Sequence, residues 1–321
     1  MAVVSRRFNT SSVLGSTTIS STSAPALTGI AGSLISVLDY CLTDATYGIG
    51  WTKQYSGTNT AVYKQPAGTN GFYLAVDDSV GQNATVCGFE TMSSVSAGIG
   101  RFPTLSQRSA LQSGWNSAFY KSGSLDAVNR AWQFFSNGKI FYLVGYNNAS
   151  SNTSVSTCNI LVFGDFTSYA PVDAFNTILL ANSSLSATST SLSLFYARDA
   201  WTSTTDGVAA RSYTQLGSAV YMTPVGQSGL QNGTGNYFGG SGEAFPSPIT
   251  GGLNMIPVQV AENNVGIRGV LPGMWNPLHV RPFNPGDTFS GTGVLAGKTF
   301  ETSTVGGTSY GLLLFETSDT W

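Results

Sequence analysis

The chain has 321 residues, of which only 9 % are charged and 41 % are hydrophobic. Soluble domains usually carry about 25 % charged residues, and here Ser, Thr, Asn and Gly take the polar positions instead. The net charge of −2 offers no basic surface for nucleic acid or an anionic membrane, so we expect neither as a partner. A neutral surface also lacks the charge repulsion that keeps free proteins apart, and it suits packing against other copies.

The first predicted element is an amphipathic helix near residues 28–42. Apolar residues recur there at spacings of three and four, and Thr28 is placed to cap the first turn. The stretch is too short to cross a bilayer and contains Asp39. The residues before it lack the apolar core of a secretory signal, so we expect the mature protein to begin at its first codon.

The rest of the chain reads as short strands rich in β-branched and aromatic residues. Turn signals such as Asn137-Gly138 separate them. The predicted strands cover residues 72–76, 84–89, 139–144, 159–163, 191–196, 208–213, 219–222, 255–261, 266–271 and 310–316. We therefore expect an all-β protein, mostly antiparallel, built of sandwich- or barrel-like units with one early amphipathic helix.

Composition also suggests how the chain is divided. The Ser/Thr/Ala-rich connection that starts at residue 182 predicts an N-terminal β domain over 1–182, which contains the helix, and a C-terminal β domain over 183–321. A single domain is the alternative. The prolines within 271–283 predict a rigid crossing that is not a strand, with Trp275 as its apolar plug.

Four aromatic residues are the candidate interface. The glycine-rich segment 226–252 predicts a long loop ordered by Tyr237, Phe238 and Phe245 or by a neighbouring subunit. At the carboxyl terminus, Trp321 is too apolar for a frayed tail, so we expect it to dock in the fold or in a neighbour.

Catalytic and metal-binding signals are weak. A triad would have to use the single histidine, His279, with an acid such as Asp287, and no G-x-S-x-G motif accompanies it. The cysteines Cys41, Cys87 and Cys158 sit in apolar runs without metal-ligand spacing, so we expect buried reduced thiols. We predict no catalytic residues, no cofactor and no metal.

Two kinds of carbohydrate chemistry stay open. Paired carboxylates support glycoside hydrolysis, and the candidates are Asp77, Asp78, Glu90, Asp165 and Asp287. The adjacent pair, Asp77 and Asp78, is explained more simply by capping of the turn after a strand. Aromatic rings beside amides and hydroxyls also suit sugar binding, although the same rings build cores and interfaces.

Several segments of the chain carry a resemblance. In the first half they are 51–59 (WTKQYSGTN), 61–63 (AVY), 71–78 (GFYLAVDD) and 88–92 (GFETM). In the second half they are 266–279 (GIRGVLPGMWNPLH), 286–289 (GDTF), 296–300 (AGKTF) and 316–321 (ETSDTW). These segments span most of the chain, and they resemble a family of virion-associated structural proteins of tailed bacteriophages and Mu-like prophages.

The resemblance implies a virion context and supplies no catalytic residues. We expect a non-enzymatic structural protein, made in the bacterial host cytoplasm and present as a multi-copy subunit of the tail, baseplate or neck. Its partners would be itself, as a symmetric homo-oligomer, and other phage virion proteins. One alternative is a capsid decoration protein on the head surface. Another is a receptor-recognition module whose loop aromatics, such as Tyr237 and Phe238, bind a host-surface glycan.

Overall fold

The computed structural model describes residues 4–8, 24–104, 117–146, 158–181, 208–213, 219–225, 246–247, 250–262, 265–277, 286–304, 312–318 and 321. It confirms a mostly antiparallel all-β protein with one short helix near the N-terminus. The predicted strands are present with shifted ends, except 191–196, which lies outside the described residues.

Within these residues, thirteen strands form one large antiparallel sheet. They are β1 (Val4–Phe8), β9 (Trp132–Ser136), β10 (Ile140–Tyr146), β11 (Cys158–Asp165), β12 (Thr167–Ser168), β13 (Thr177–Leu180), β14 (Val208–Arg211), β15 (Ala219–Val225), β16 (Met255–Glu262), β17 (Gly266–Pro277), β18 (Thr288–Ser290), β19 (Thr299–Thr304) and β20 (Leu312–Glu316). Their order is β1-β9-β10-β11-β13-β14-β15-β16-β17-β20-β19-β18, and β12 pairs with β17.

The described chain also forms a five-stranded sheet and a small hairpin. The five-stranded sheet has the order β2 (Thr52–Gly57), β3 (Thr60–Lys64), β4 (Tyr73–Asp77), β5 (Asn83–Phe89) and β8 (Ala118–Tyr120). The hairpin pairs β6 (Thr91–Met92) with β7 (Gly98–Ile99). A short 3₁₀ helix at Gly293–Leu295 follows β18.

The central strands of the large sheet are buried on both faces. In β10, Phe141 and Leu143 join a core shared with the five-stranded sheet, whereas Tyr142 and Val144 join a second core. That second core also holds side chains of β16, β17 and β20. Phe135 of β9 stacks on Phe315 of β20 with ring centroids 4.3 Å apart. The large sheet therefore curls until strands near its two ends meet across the second core.

The early helix is shorter than predicted. It consists of α1 (Ser33–Leu38), continued by a π-helical turn at Asp39–Thr43. The prediction of a start at Thr28 is wrong because Leu27 forms a β-bridge with Arg130. The helix starts only after Gly32, whose φ of 85° is left-handed.

Asp78 takes the capping role that Thr28 does not have. Its Oδ2 accepts hydrogen bonds from the backbone N–H groups of Leu34 at 2.8 Å and Ile35 at 3.4 Å. Its Oδ1 accepts from Nζ of Lys121, and both side chains of this ion pair are fully buried. Burial raises the pKa of Asp78 and lowers that of Lys121, against their mutual attraction. The pair joins α1, the end of β4 and the segment after β8.

The prediction of a non-strand crossing at 271–283 is wrong for its first part, because β17 continues through it. The pairing of β16 with β17 is interrupted by a bulge that contains Pro272 and Gly273. A proline has no N–H to donate, and none is needed in the bulge. Trp275 is half-buried and packs edge-on against Phe300, with ring centroids 6.0 Å apart. The second part of the segment lies outside the described residues.

Other local predictions are confirmed. Gly138, with a φ of 85°, forms the turn between β9 and β10, and Oδ1 of Asn137 accepts from the N–H groups of Lys139 and Ile140. Cys41 and Cys87 are buried and form no disulfide, whereas the side chain of Cys158 lies outside the description.

The described helix is too short to span a membrane.

The predicted domain boundary at residue 182 lies between two paired strands. β13 ends before it, β14 begins after it, and Ile178 lies opposite Ala210 in their ladder. One sheet is therefore continuous across the boundary, and the division into two domains stays a prediction.

The substitution Lys121→Met tests the buried ion pair. It leaves the Asp78 carboxylate buried without its cation, so we expect the free energy of unfolding to fall by about 3–5 kcal/mol. Urea unfolding followed by circular dichroism measures the loss.

The matched control is Lys53→Met. Lys53 pairs with Asp39 of the π-helical turn at 2.8 Å, but the two side chains are 30 % and 36 % exposed. We expect a loss of about 0–1 kcal/mol there. Equal losses in the two variants would contradict the role given to Lys121.

Candidate functional site

One feature of the described surface that could hold a ligand is a cleft of about 640 Å³ where the two sheets meet. Five pieces of chain line it: the β3–β4 turn at 68–70, the β9–β10 turn at 137–139, the connection at 165–176, Pro272 of the β17 bulge and Trp321. The lining is mostly amide, hydroxyl and carboxylate groups with one indole. Two residues flagged from the sequence for different reasons, Asp165 and Trp321, are thus brought together.

Trp321 forms one wall of the cleft. Its ring packs against the second core, 5.8 Å from the Tyr142 ring, which agrees with the expectation that it docks in the fold. The β17 bulge allows this approach because a Cβ at Gly273 would lie 2.3 Å from Cδ2 of Trp321. The indole Nε1 is buried and has no hydrogen-bond partner among the described residues. The use of Trp321 as an intersubunit contact stays a prediction.

Asp165 ties the five-stranded sheet to the large sheet at the floor of the cleft. Its carboxylate accepts hydrogen bonds from Nε2 of Gln65 at 2.8 Å, the N–H of Asn70 at 2.8 Å and Oγ1 of Thr177 at 2.6 Å. With three donors on a buried carboxylate, Asp165 is held in place as a structural acceptor.

The rim of the cleft is the loop 167–173. Val172 has a φ of 55° and is 97 % exposed. A β-branched residue with positive φ is a backbone outlier that persists only when its surroundings impose it. Tyr169, beside it, is 57 % exposed. The rim therefore presents an aromatic and an aliphatic side chain to solvent.

Arg268 of β17 imposes that conformation. Its Nε and Nη2 donate to the two oxygens of Asp173, each at 2.9 Å, directly after Val172. Its Nη1 donates to Glu262 of β16 at 2.8 Å. The two remaining donors go to the carbonyl oxygens of Arg211, at 2.7 Å, and Phe175, at 2.9 Å. The buried guanidinium thus uses all five of its N–H donors.

Asp173 is unsuited to act as a general acid. Burial acts to raise its pKa, but hydrogen bonds from Arg268, Ser168 and the N–H of Phe175, with the charge of Arg268, outweigh burial and lower the pKa below its usual value. A general acid needs a raised pKa to hold its proton at neutral pH. Asp173 therefore lines the cleft as a fixed, ionised group.

The other carboxylates proposed for hydrolysis do not line this cleft. Asp77 accepts from the N–H of Ser79 at 3.1 Å, which is the predicted turn cap. Asp78 caps α1 instead of a turn. Glu90 pairs with Arg211 at 2.6 Å. Asp287 precedes β18 and its carbonyl oxygen accepts from the N–H of Thr302 at 2.9 Å.

Several candidates lie outside the described residues, namely His279, Tyr237, Phe238 and Phe245. Among the described residues, no cluster of His, Cys, Asp or Glu side chains is arranged to hold a metal ion.

The sequence reasoning missed Arg268 and Asp173. They are 95 residues apart, and neither belongs to a motif of chemical groups at a fixed spacing. The one available signal was an arginine inside an otherwise apolar predicted strand, because such a charge must find partners when it is buried.

Comparison with known proteins adds no identification. No protein-family model matches the chain, and a search of curated proteins returns no significant match. The cleft is therefore interpreted from its own geometry.

The substitution Asp173→Asn tests the rim clamp through its pH dependence. Because the folded pKa of Asp173 lies below the unfolded value of about 3.9, the stability it contributes is present above that pH and is lost as the pH falls through the folded pKa. We expect the variant to be less stable than wild type at neutral pH. The free energies of unfolding, measured in urea over a pH series, should converge in acid.

A stability difference that stays constant from neutral to acidic pH would contradict the assignment. Such a result would mean that the carboxylate of Asp173 has the same proton affinity in the folded and unfolded chain.

Proposed function

We propose that this chain is a non-enzymatic structural protein of a bacteriophage virion, present in multiple symmetric copies. Four features support the proposal: the resemblance of its segments to tailed-phage virion proteins, its all-β architecture, its low charge and the use of its carboxylates as structural acceptors. The tail, baseplate or neck is the proposed location, and decoration of the head surface is the alternative.

The observation that carries the proposal is where the few charges lie. The sequence contains 14 basic and 16 acidic residues. Eight charged residues of the described chain are buried: Asp78, Lys121, Arg130, Asp165, Glu262, Arg268, Glu301 and Glu316. Eight of the few charges therefore do not contribute to the described surface. Surfaces of this kind associate through shape and apolar contact, with little electrostatic repulsion to prevent it.

One exposed group of apolar side chains is a proposed contact between two copies of the chain. Leu125 is 72 % exposed and Val80 is 64 % exposed. Their turns adjoin, because a Cβ at Gly81 would lie 2.5 Å from Cδ2 of Leu125. Ile30, 48 % exposed, belongs to a third turn, which is joined to the Leu125 turn by the hydrogen bond from the N–H of Gly29 to the Asp126 carbonyl at 2.8 Å.

Self-association of the purified full chain tests this contact. Sedimentation equilibrium at low and high sodium chloride should give dissociation constants within about tenfold of each other, because screening acts on charged contacts. Weakening by several orders of magnitude in high salt would contradict association through uncharged surfaces.

A pair of variants locates the contact. Leu125→Glu should weaken self-association by more than tenfold, whereas Val294→Glu, which alters a 99 % exposed side chain on the 3₁₀ helix, should leave it unchanged. Equal behaviour of the two variants would exclude the Leu125 surface as the contact.

The virion role itself is tested by labelling. Gold-conjugated antibody against this chain should decorate intact phage particles at symmetry-related positions. Particles that contain no copies of the chain would overturn the proposed function.

A further inference from the structure

We infer that the cleft at the junction of the two sheets is a carbohydrate-binding site. The ligand class is a neutral saccharide, bound with one face of a pyranose ring against Trp321 and its hydroxyl groups toward the amides and the ammonium group of the cleft. This inference rests on the cleft geometry, and it gives the proposed virion protein a surface ligand.

The size and polarity of the cleft fit such a ligand. A volume of about 640 Å³ lies within the range of about 300–1,000 Å³ that small-molecule sites occupy. Most small-molecule sites are predominantly apolar, and this one is predominantly polar. A ligand that matches it must carry many hydrogen-bonding groups and one apolar face, which is the chemistry of a sugar ring.

Trp321 supplies the apolar surface. Its side chain is only partly buried: the ring packs against Gly273 and Tyr142, and it also lines the cleft. Buried indole N–H groups usually find a hydrogen-bond partner, and that of Trp321 has none in the described chain. Apolar packing against the second core holds the ring in place, and the same ring lines the cleft.

Other hydrogen-bonding groups that line the cleft have unused capacity among the described residues. Oδ1 of Asn137 accepts two backbone N–H bonds, but its Nδ2 donates none. Nδ2 of Asn70 donates to Asn176 and Thr177, both at 2.9 Å, while its Oδ1 accepts none. Nζ of the exposed Lys139 has no ion-pair partner. Donors and acceptors are thus both available for hydroxyl groups.

The carboxylates of the cleft are already engaged, which favours a neutral ligand. Asp165 receives three hydrogen bonds, and Asp173 receives the guanidinium fork of Arg268. Because both carboxylates already have hydrogen-bond donors, neither requires a bound cation as a partner. The cleft therefore offers fixed dipoles and one flexible ammonium group, which suit hydroxyl recognition better than recognition of a highly charged ligand.

Saturation-transfer NMR on the full-length protein tests the site. The probes are glucose, galactose, mannose and N-acetylglucosamine, each at millimolar concentration. We expect transfer to the ring protons of at least one of them in wild type and loss of that signal in Trp321→Ala. Trp321→Phe, which keeps an aromatic face, should retain it. No transfer to any probe in wild type would overturn the inference.

A second pair of variants guards against loss of folding in Trp321→Ala. Gly273→Ala places a Cβ against the indole. It should therefore raise the dissociation constant of the bound sugar at least about tenfold. Gly266→Ala is the matched control, because Gly266 has a similar φ of 86° in the same strand but an added Cβ meets nothing within 4 Å. Unchanged binding in Gly273→Ala, or equal loss in both, would contradict a site built on Trp321.

The outcome is separable from that of the virion role. Antibody labelling without saturation transfer would leave the structural proposal standing and remove the sugar site. Saturation transfer to a sugar, together with particles that lack the chain, would support the sugar site and remove the structural proposal.

Discussion

The buried guanidinium of Arg268 is the interaction on which the candidate site depends. It joins β14, β16, β17 and the rim loop through five hydrogen bonds, and its two carboxylate partners, Asp173 and Glu262, are buried with it. Its carbon Cζ also lies 5.3 Å from the ring centroid of Phe166 and 6.0 Å from that of Tyr213. Planar stacking with a fork of donors is specific to arginine, because lysine offers only a compact point charge.

A second buried ion pair has the same role elsewhere in the described chain. Asp78 and Lys121 close the five-stranded sheet over α1, and Arg268 closes the rim over the large sheet. In both places buried ionic groups organise the interior. Buried ionic pairs add little net stability, but loss of one partner is costly, so they fix which segments must come together.

The sequence predictions were accurate where neighbouring residues determine the structure, and they failed where residues distant in the chain determine it. Strand β10 and the Asn137-Gly138 turn depend on local pattern and backbone conformation, and both were predicted. The start of α1 was placed too early because the cap, Asp78, is 44 residues from Leu34. A strand through Pro272 was not expected, because the bulge that accommodates it arises from pairing with β16.

The candidate site was predictable only in part, for the same reason. Asp165 and Trp321 were identified from residue type, since a carboxylate and a terminal indole stand out in a weakly charged chain. Their meeting in one cleft depends on the curl of the large sheet, which no local pattern encodes. Arg268 and Asp173 are brought together by the pairing of β12 with β17, and that pairing is also non-local.

Hydrogen exchange of the variant Arg268→Lys tests this account most directly. The substitution keeps the positive charge and removes the planar fork. We predict faster exchange at the N–H groups of Tyr169 and Phe175, which bond to the Arg268 carbonyl and the Asp173 carboxylate, while those of Leu143 and Val144 in β10 stay protected. Unchanged protection at Tyr169 and Phe175 would contradict the claim that the guanidinium of Arg268 holds the rim and the cleft in place.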